Sequence, residues 1–246
     1  MPKVSIAVPV SPMGGIEPFL LKNLLNSCSK QSFQDYEIII SDHTASAMFY
    51  KMINKKNRKI KYFWNPNNLS NPQQNINNAL LLSKGDFIKI LFLDDMFHKK
   101  NSLQQIISQM IQTGKKWHVS GCYNYDMTNQ ESKKHNPKKG NRLLLGENTI
   151  GPPSVITLRN DKKLLFDENL DFIWDCEYYY RLYRNFGDPY YNSEPLILVR
   201  NNHKYQLSKL FEASKNKKSK IKKDILYCLQ KHQKNWFEKI LNLFFK

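Results

Sequence analysis

The chain predicts an α/β fold, a mostly parallel sheet with helices on both faces, followed by a basic C-terminal helical tail. Three observations carry that expectation. Apolar runs of strand length alternate with segments whose apolar residues recur at helical spacing. Several runs are apolar throughout rather than alternating, as strands covered on both faces are. The 246 residues are 41 % hydrophobic, enough for one sizeable core.

The elements follow in order. "KVSIAVPV" (3–10) reads as a short strand bounded by Pro9 and a Pro/Gly turn. Leu21, Leu24, Leu25 and Cys28 then fall at helical spacing, and "YEIIIS" (36–41) reads as a continuous apolar run of strand length. Met48, Phe49, Met52 and Ile53 suggest a short helix, and "KIKYFWN" (59–65) alternates like a strand. Ile76, Ala79 and Leu80 continue as a helix to Gly85, and "DFIKILFL" (86–93) is the next strand. Leu103, Ile106, Ile107, Met110 and Ile111 form an amphipathic helix stopped at Gly114. The second half is less regular: a strand at 117–127, a polar basic loop at 130–142 and a strand in "PSVITLRN". A helix at 175–187 closed by Gly187 and a strand at 194–200 complete it. The composition then turns lysine-rich. This divides the chain into a domain over 1–210 and a tail over 211–246 with apolar residues from Ile221 to Phe244 at helical intervals.

Strands alternating with helices imply right-handed crossovers, and ligands in such sheets sit beyond the carboxyl ends of the strands. Asp42 ends the second strand; Asp94 and Asp95 end the fourth. Three acids from distant sequence are thus expected on one rim. Two adjacent carboxylates at about 5 Å and an effective dielectric of about 20 repel by roughly 3 kcal/mol. Water can screen that repulsion, or a cation can use it.

The totals exclude some classes. No stretch approaches 18 uninterrupted apolar residues, so no spanning helix is expected. The start lacks the apolar run and cleavage site of a signal peptide, so a cytoplasmic location is expected, with the inner face of a membrane as a peripheral alternative. Cys28, Cys122, Cys176 and Cys228 are scattered and read as free thiols. The net charge of +17 suits nucleic acid, an anionic membrane or a phosphorylated substrate, or reflects a Lys/Asn/Ile-rich composition alone. There is no GxGxxG after the first strand, no Walker A sequence, no HExxH and no GxSxG.

"VSIAVPV", "YEIIISDHTAS", "NINNALLLSKGDFIKILFLDDMF" and "WDCEYYYRLYRNFG", in that order, resemble the successive landmarks of family 2 glycosyltransferases. The resemblance covers roughly residues 3–208. It implies the GT-A fold, a nucleotide-sugar donor, inversion at the transferred sugar, and a Mn2+ or Mg2+ cofactor serving glycan biosynthesis. It places Pro9, Asp42, Asn77 and Asp94 at the nucleotide sugar, with Asp42 on the base and Asp94 on the ribose or sugar. It places Asp95 on the metal, with His203 as a further metal or diphosphate contact. Asp175 takes the position of the family's catalytic base, with Glu177 as second choice. "GPPS" (151–154) resembles the acceptor-side loop, so Pro153 and Ser154 are expected there. The chain departs from the pattern at His43, Ile76, Phe92 and Trp174, which stand where relatives carry Asp, Arg, Asp and an acid.

The chemistry suits these residue types. A divalent ion held by strand-end carboxylates can bridge a diphosphate and stabilise the charge on the leaving group. A carboxylate opening a helix is held ionised by the helix dipole and can accept a hydroxyl proton. The expected activity is therefore transfer of a sugar, UDP-linked in this reading, to a glycan or lipid-linked acceptor. The tail either meets anionic headgroups as a peripheral membrane contact or packs its apolar stripe on the domain. The rival readings are a basic nucleic-acid-binding module and a sugar-phosphate nucleotidyltransferase; with acids on the rim, no nucleic acid partner is expected.

Overall fold

A computed structural model describes residues 1–51, 53, 57–66, 71–126, 131–201, 205, 209 and 216–232. The first half runs β1 (Val4–Val10), α1 (Glu17–Ser29), β2 (Tyr36–Asp42), β3 (Ile60–Trp64), α2 (Pro72–Leu82), β4 (Phe87–Ile90), β5 (Met96–Phe97) and α3 (Ser102–Thr113). The second half adds β6 (Trp117–Tyr125), β7 (Glu131–His135), β8 (Ile156–Arg159), α4 (Trp174–Phe186), β9 (Tyr190–Arg200) and α5 (Lys217–His232). Among the described residues the strands form one sheet in the order β3-β2-β1-β4-β8-β6-β9-β5, with β7 paired to β6.

The first four strands are parallel, as the alternation of elements predicts. Their order reverses at β1, which lies between β2 and β4. Right-handed crossovers then put α1 and α2 on opposite faces. Hydrogen bonds agree: Tyr36 Oη donates to Cys28 O of α1, whereas Ser41 Oγ, on the opposite side of β2, donates to Asn75 of α2. The cleft at such a reversal is where open α/β sheets bind ligands. Pro9 sits at that cleft. It has no N–H to give a ladder, and β4 pairs with β1 only as far as Ala7, so the proline costs the sheet nothing there.

The second half is mixed. β8 runs antiparallel to both β4 and β6, β6 pairs parallel with β9, and β5 lies antiparallel on β9. Three local expectations are corrected. The region 130–142 is not all loop, because Glu131–His135 pairs with the free edge of β6. The run 86–93 leaves the sheet after Ile90, so β4 is only half the length its apolar character suggests. The helix expected around 48–53 is a single 3-10 turn, Met48–Lys51, with Met52 outside the described residues. The helix stops lie where the glycines predict: Gly114 ends α3 with a φ of 66° and Gly187 closes α4 with a φ of 71°.

Helix α5 forms within the basic tail, and Asp224, Cys228 and Leu229 on its inner side are buried. Lys215, Trp236, Ile240 and Phe244 lie outside the described residues.

A buried polar knot ties the lower end of the sheet together. Ser5 Oγ donates to Glu37 Oε1 at 2.6 Å and accepts from Lys84 N at 3.0 Å and Gly85 N at 2.8 Å. Lys61 Nζ closes it at 2.5 Å from Glu37 Oε2. A Cβ at Gly85 would stand 2.6 Å from Ser5 N and 2.7 Å from Val4 C, both backbone atoms. Gly85→Ala is therefore expected to destabilise the fold by about 1–3 kcal/mol in urea unfolding, since backbone cannot swing aside as a side chain can. An unchanged midpoint would mean that this corner yields.

Candidate active site

The chain leaves β4 through Leu91, whose N–H bonds Ala7 O at 3.0 Å, and Leu91 and Leu93 are both buried. These two leucines anchor the exit and drive the next residues into a turn, closed by Asp95 N on Phe92 O at 3.0 Å. Asp94 and Asp95 thus stand in a turn beyond the strand rather than at its last pairing. The turn splits them: Asp94 is half-buried, while Asp95 is only 2 % exposed. Burial, and next the charge of Asp94, push the Asp95 carboxyl well above the usual carboxylate range. Hydrogen bonds from Ser154 and the Arg200 backbone N–H, the latter at 3.0 Å, and the charge of Lys89 oppose that rise.

Lys89 was not singled out in the sequence, although a lone charge inside an apolar strand was a signal. It is fully buried beneath the acid pair. Its Nζ donates to Ser154 O and, at 3.3 Å, to Ile156 O, and burial lowers its pKa to about 7. Arg200, 1 % exposed, brings a second cation close: its guanidinium lies 4.3 Å from the Tyr125 ring centroid, and Tyr125 Oη donates to Asp94 O at 3.1 Å.

Pro9 is half-buried at the sheet reversal. Asp42 is closed over: Oδ1 accepts from Thr44 N at 2.8 Å, Oδ2 accepts from Tyr62 Oη, and none of its surface is exposed. Its first task is holding the 42–44 turn against β3. Asn77 is bonded within the fold. Its Nδ2 donates to Phe166 O and Glu168 Oε1, both at 2.9 Å, and its Oδ1 accepts from Phe166 N at 2.7 Å. Those bonds use both N–H groups and tether the 166–168 segment. Its neighbour Asn75 reaches the strand ends instead, donating to Val10 O at 2.8 Å.

On the other side, Asp175 lies half-buried in the first turn of α4. Asn148 Nδ2 donates to Asp175 Oδ2 at 2.7 Å and to Gly151 O at 3.0 Å, and Cys176 N donates to Asp175 Oδ1 at 2.7 Å. Burial raises the Asp175 carboxyl above its ordinary value, and these donors hold it back. Asn148 carried no pattern that sequence reasoning could use; only folding brings it to α4.

Pro153 and Ser154, expected at the acceptor side, lie in the turn that precedes β8. Both are buried, in a 3-10 turn over Pro153–Val155. Ser154 Oγ accepts from Phe92 N at 2.9 Å and its hydroxyl bonds Asp95, so it braces the acid turn from below. Glu177, the second candidate for the base, lies one turn into α4. It has no exposed surface, and it is held by Arg181 Nε at 2.8 Å, Lys231 Nζ at 3.1 Å and His232 Nε2 at 2.8 Å. Burial alone would raise it, but the bonds from His232 and Arg181 hold its carboxyl below the usual value. Its place on the helix, far around from Asp175, turns it toward α5.

The structure therefore joins the acid pair to Asp175 through one stretch of chain, 148–154: Ser154 on Asp95 at one end, Asn148 on Asp175 at the other. Phe92 and Trp174, at two positions where acids stood in the pattern, face each other with ring centroids 6.4 Å apart. His203 lies outside the described residues. Among the described residues no group of three or more His, Cys, Asp or Glu side chains converges as a metal cage. The donor set suits a hard divalent cation all the same. Such ions accept one or two carboxylates and take the remaining oxygens from a bound diphosphate, and the charge crowded at Asp94 and Asp95 is what a cation would relieve.

Comparisons with known proteins bear on the family and the fold. Residues 17–185 match the profile of Glycosyl transferase family 2. The GalNAc(5)-diNAcBac-PP-undecaprenol beta-1,3-glucosyltransferase of Campylobacter jejuni is 37 % identical over 98 residues, 39 % of this chain and 30 % of that protein. An uncharacterized glycosyltransferase of Haemophilus influenzae is 32 % identical over 115 residues, 46 % of this chain and 44 % of its own length. The matches thus span less than half of these curated relatives. Among solved structures, S. aureus TarS 1-349 in complex with UDP-GlcNAc superposes with a TM-score of 0.69 at 17 % identity, over 92 % of this chain and 66 % of that one. The mannosyltransferase PcManGT of Pyrobaculum calidifontis, in complex with GDP-Man and Mn2+, gives 0.57 at 10 % identity, over 81 % and 56 %. The two structures share the fold. With the family profile covering more than half of its length, the chain belongs to glycosyl transferase family 2.

Proposed function

We propose that this protein is a metal-dependent, inverting glycosyltransferase. It moves a sugar from a nucleotide donor, in this reading UDP-linked, to the hydroxyl of a glycan or lipid-linked acceptor. The observation that carries the proposal is the acid turn at the sheet reversal, braced by the same 148–154 stretch that holds Asp175. The TarS complex contains UDP-GlcNAc and the Campylobacter relative is named for an undecaprenol-linked glycan; both support the donor and acceptor classes proposed.

The nucleotide lies across the carboxyl ends of β1 and β2, over Pro9 and the turn that Asp42 holds. Asp94, the accessible member of the pair, faces the sugar–diphosphate end, and Asp95 and Asp94 would together hold a divalent ion. When bound, that ion supplies Lewis-acid stabilisation to the departing diphosphate. Asp175 accepts the proton of the acceptor hydroxyl as oxygen attacks the anomeric carbon from the side opposite the diphosphate. The bond from sugar to phosphate breaks as the new glycosidic bond forms, which inverts the anomeric centre. The raised Asp175 carboxyl makes it a stronger base than an ordinary aspartate, and the bond from Asn148 opposes that rise by favouring the ionised form.

The outer side of α5 exposes Lys218, Lys222 and Lys223, with Leu226 41 % exposed among them. No helix among the described residues is long and apolar enough to cross a membrane. We place this face against anionic lipid, where each lysine contributes about 1 kcal/mol. Co-sedimentation with phosphatidylglycerol vesicles should fall when the three lysines are changed to glutamine; equal binding by that variant removes the membrane contact.

A hydrolysis screen across nucleotide sugars with Mn2+ identifies the donor. With UDP and Mn2+ in calorimetry, Asp95→Asn should bind at least about tenfold more weakly, a loss of about 1.4 kcal/mol. Asp175→Asn should bind as the wild type does and lose about 10²–10⁴-fold in turnover. Normal turnover would move the base elsewhere, and unaltered binding by Asp95→Asn would take the metal away from this turn. A random oligonucleotide that stabilises the protein more than UDP with Mn2+ would favour the nucleic-acid reading.

The pH profile tests Asn148. Transfer requires ionised Asp175, so activity falls as pH drops through its pKa. Its bond from Asn148 favours the ionised form; Asn148→Ala removes it, the pKa rises, and the acidic limb of kcat should move to higher pH. A limb that stays in place would show that Asp175 does not govern it.

A further inference from the structure

Helix α4 has no side-chain cap of its own: the residue before it is Ile173. Buried N–H groups in the segment that leads into the helix also need acceptors, and here the acceptor comes from the basic tail. Asp224 of α5 is 1 % exposed. Its Oδ2 accepts from Asp171 N at 3.1 Å, Phe172 N at 2.6 Å and Ile173 N at 3.2 Å, and its Oδ1 lies 3.2 Å from Asp171 N. Three successive amides wrapped on one carboxylate make an anion nest, closed by a residue 51 positions further along the chain. The nest ends two residues before Asp175.

The remainder of the 166–173 segment is held from the opposite direction. Gln73 Nε2 of α2 donates to Leu170 O at 2.7 Å, and Asn77 holds Phe166. The last turn of α5 adds a second clasp, with Lys231 Nζ 2.5 Å from Asp167 Oδ2 and His232 Nε2 2.8 Å from Glu177 Oε1. The start of α4 is thus gripped by α5 on both sides of Asp175.

We infer that α5 is a positioning element for the transfer step, and that Asp224 is the positioning residue that sets where Asp175 stands. The inference rests on Asp175 being the base. Neutralising Asp224 weakens acceptance of three N–H groups, lets 171–173 open, and allows Asp175 to drift from its bond with Asn148. Donor binding at the sheet reversal, built from other elements, is left intact.

The test uses the full chain, with UDP-N-acetylglucosamine or whichever nucleotide sugar the wild type hydrolyses fastest, and Mn2+. Asp224→Asn should lower kcat by about tenfold to a hundredfold with KM for the donor within twofold, since a misplacement of about 1 Å has that scale of effect. Amide exchange should rise over 170–177 and stay unchanged over β1, β2 and β4. Asp224→Glu, which keeps the charge, should recover part of the rate; it also serves as the variant to read should Asp224→Asn not fold. Asp175→Asn is run beside them. If Asp175→Asn is inactive and Asp224→Asn turns over as the wild type does, the positioning role is overturned while the base assignment stands. If kcat and KM worsen together and exchange rises throughout the sheet, Asp224 serves general stability and the inference fails. If Asp175→Asn keeps its activity, the base assignment fails and this inference falls with it.

Discussion

A carboxylate denied water has to be compensated by what surrounds it, and the upper end of this molecule is organised around that demand at Asp95. The Ser154 hydroxyl and Arg200 N–H donate to it, and Lys89 stands below in an otherwise apolar strand. These three partners come from β4, the turn before β8 and the end of β9. They are strands that meet only because β8 pairs with β4 and β6 with β9. The mixed half of the sheet therefore supplies the shell that the parallel half's acid turn requires. The supply is incomplete: next to a second carboxylate, Asp95 still favours its proton more than an ordinary aspartate does. That residual demand is the physical argument for a cation.

The same economy runs outward. Lys89 holds the carbonyls of Ser154 and Ile156, which sets the turn from which Ser154 reaches Asp95. Three residues earlier that stretch presents Gly151 O, which accepts from Tyr179 Oη of α4 and Asn148 Nδ2. The acid turn and the opening of α4 are consequently not independent. A displacement of 148–154 would disturb both, and the packing of Phe92 against Trp174 adds an apolar contact between the same two places. Where the family pattern has acids at those two positions, this chain has a hydrophobic link.

The tail divides by side. Its outward lysines are solvated charges whose value depends on what approaches. Its inward Asp224, Lys231 and His232 are spent on the segment that enters α4 and on Glu177. Glu177 shows why burial, not residue type, assigns a role. Two positions from Asp175 and equally acidic, it faces three cationic or hydrogen-bonding partners and serves as a clasp.

The sequence by itself determined the parallel half of the fold, because apolar periodicity and strand length are local quantities written into each segment. It also determined that acids gather at one rim, since chain order and crossover handedness leave the carboxyl ends of β2 and β4 little choice. The glycine stops of α3 and α4 were legible for the same reason. Only tertiary structure decided which polar side chains hold the protein together. Asn77, Ser154 and Glu177 have the residue types of a binding site, yet each is taken up by partners dozens of residues away. Lys89, Asn148 and Asp224 have roles that exist only through such partners. A hydrogen bond across long sequence separation leaves no periodicity behind it; it comes into being when the chain closes.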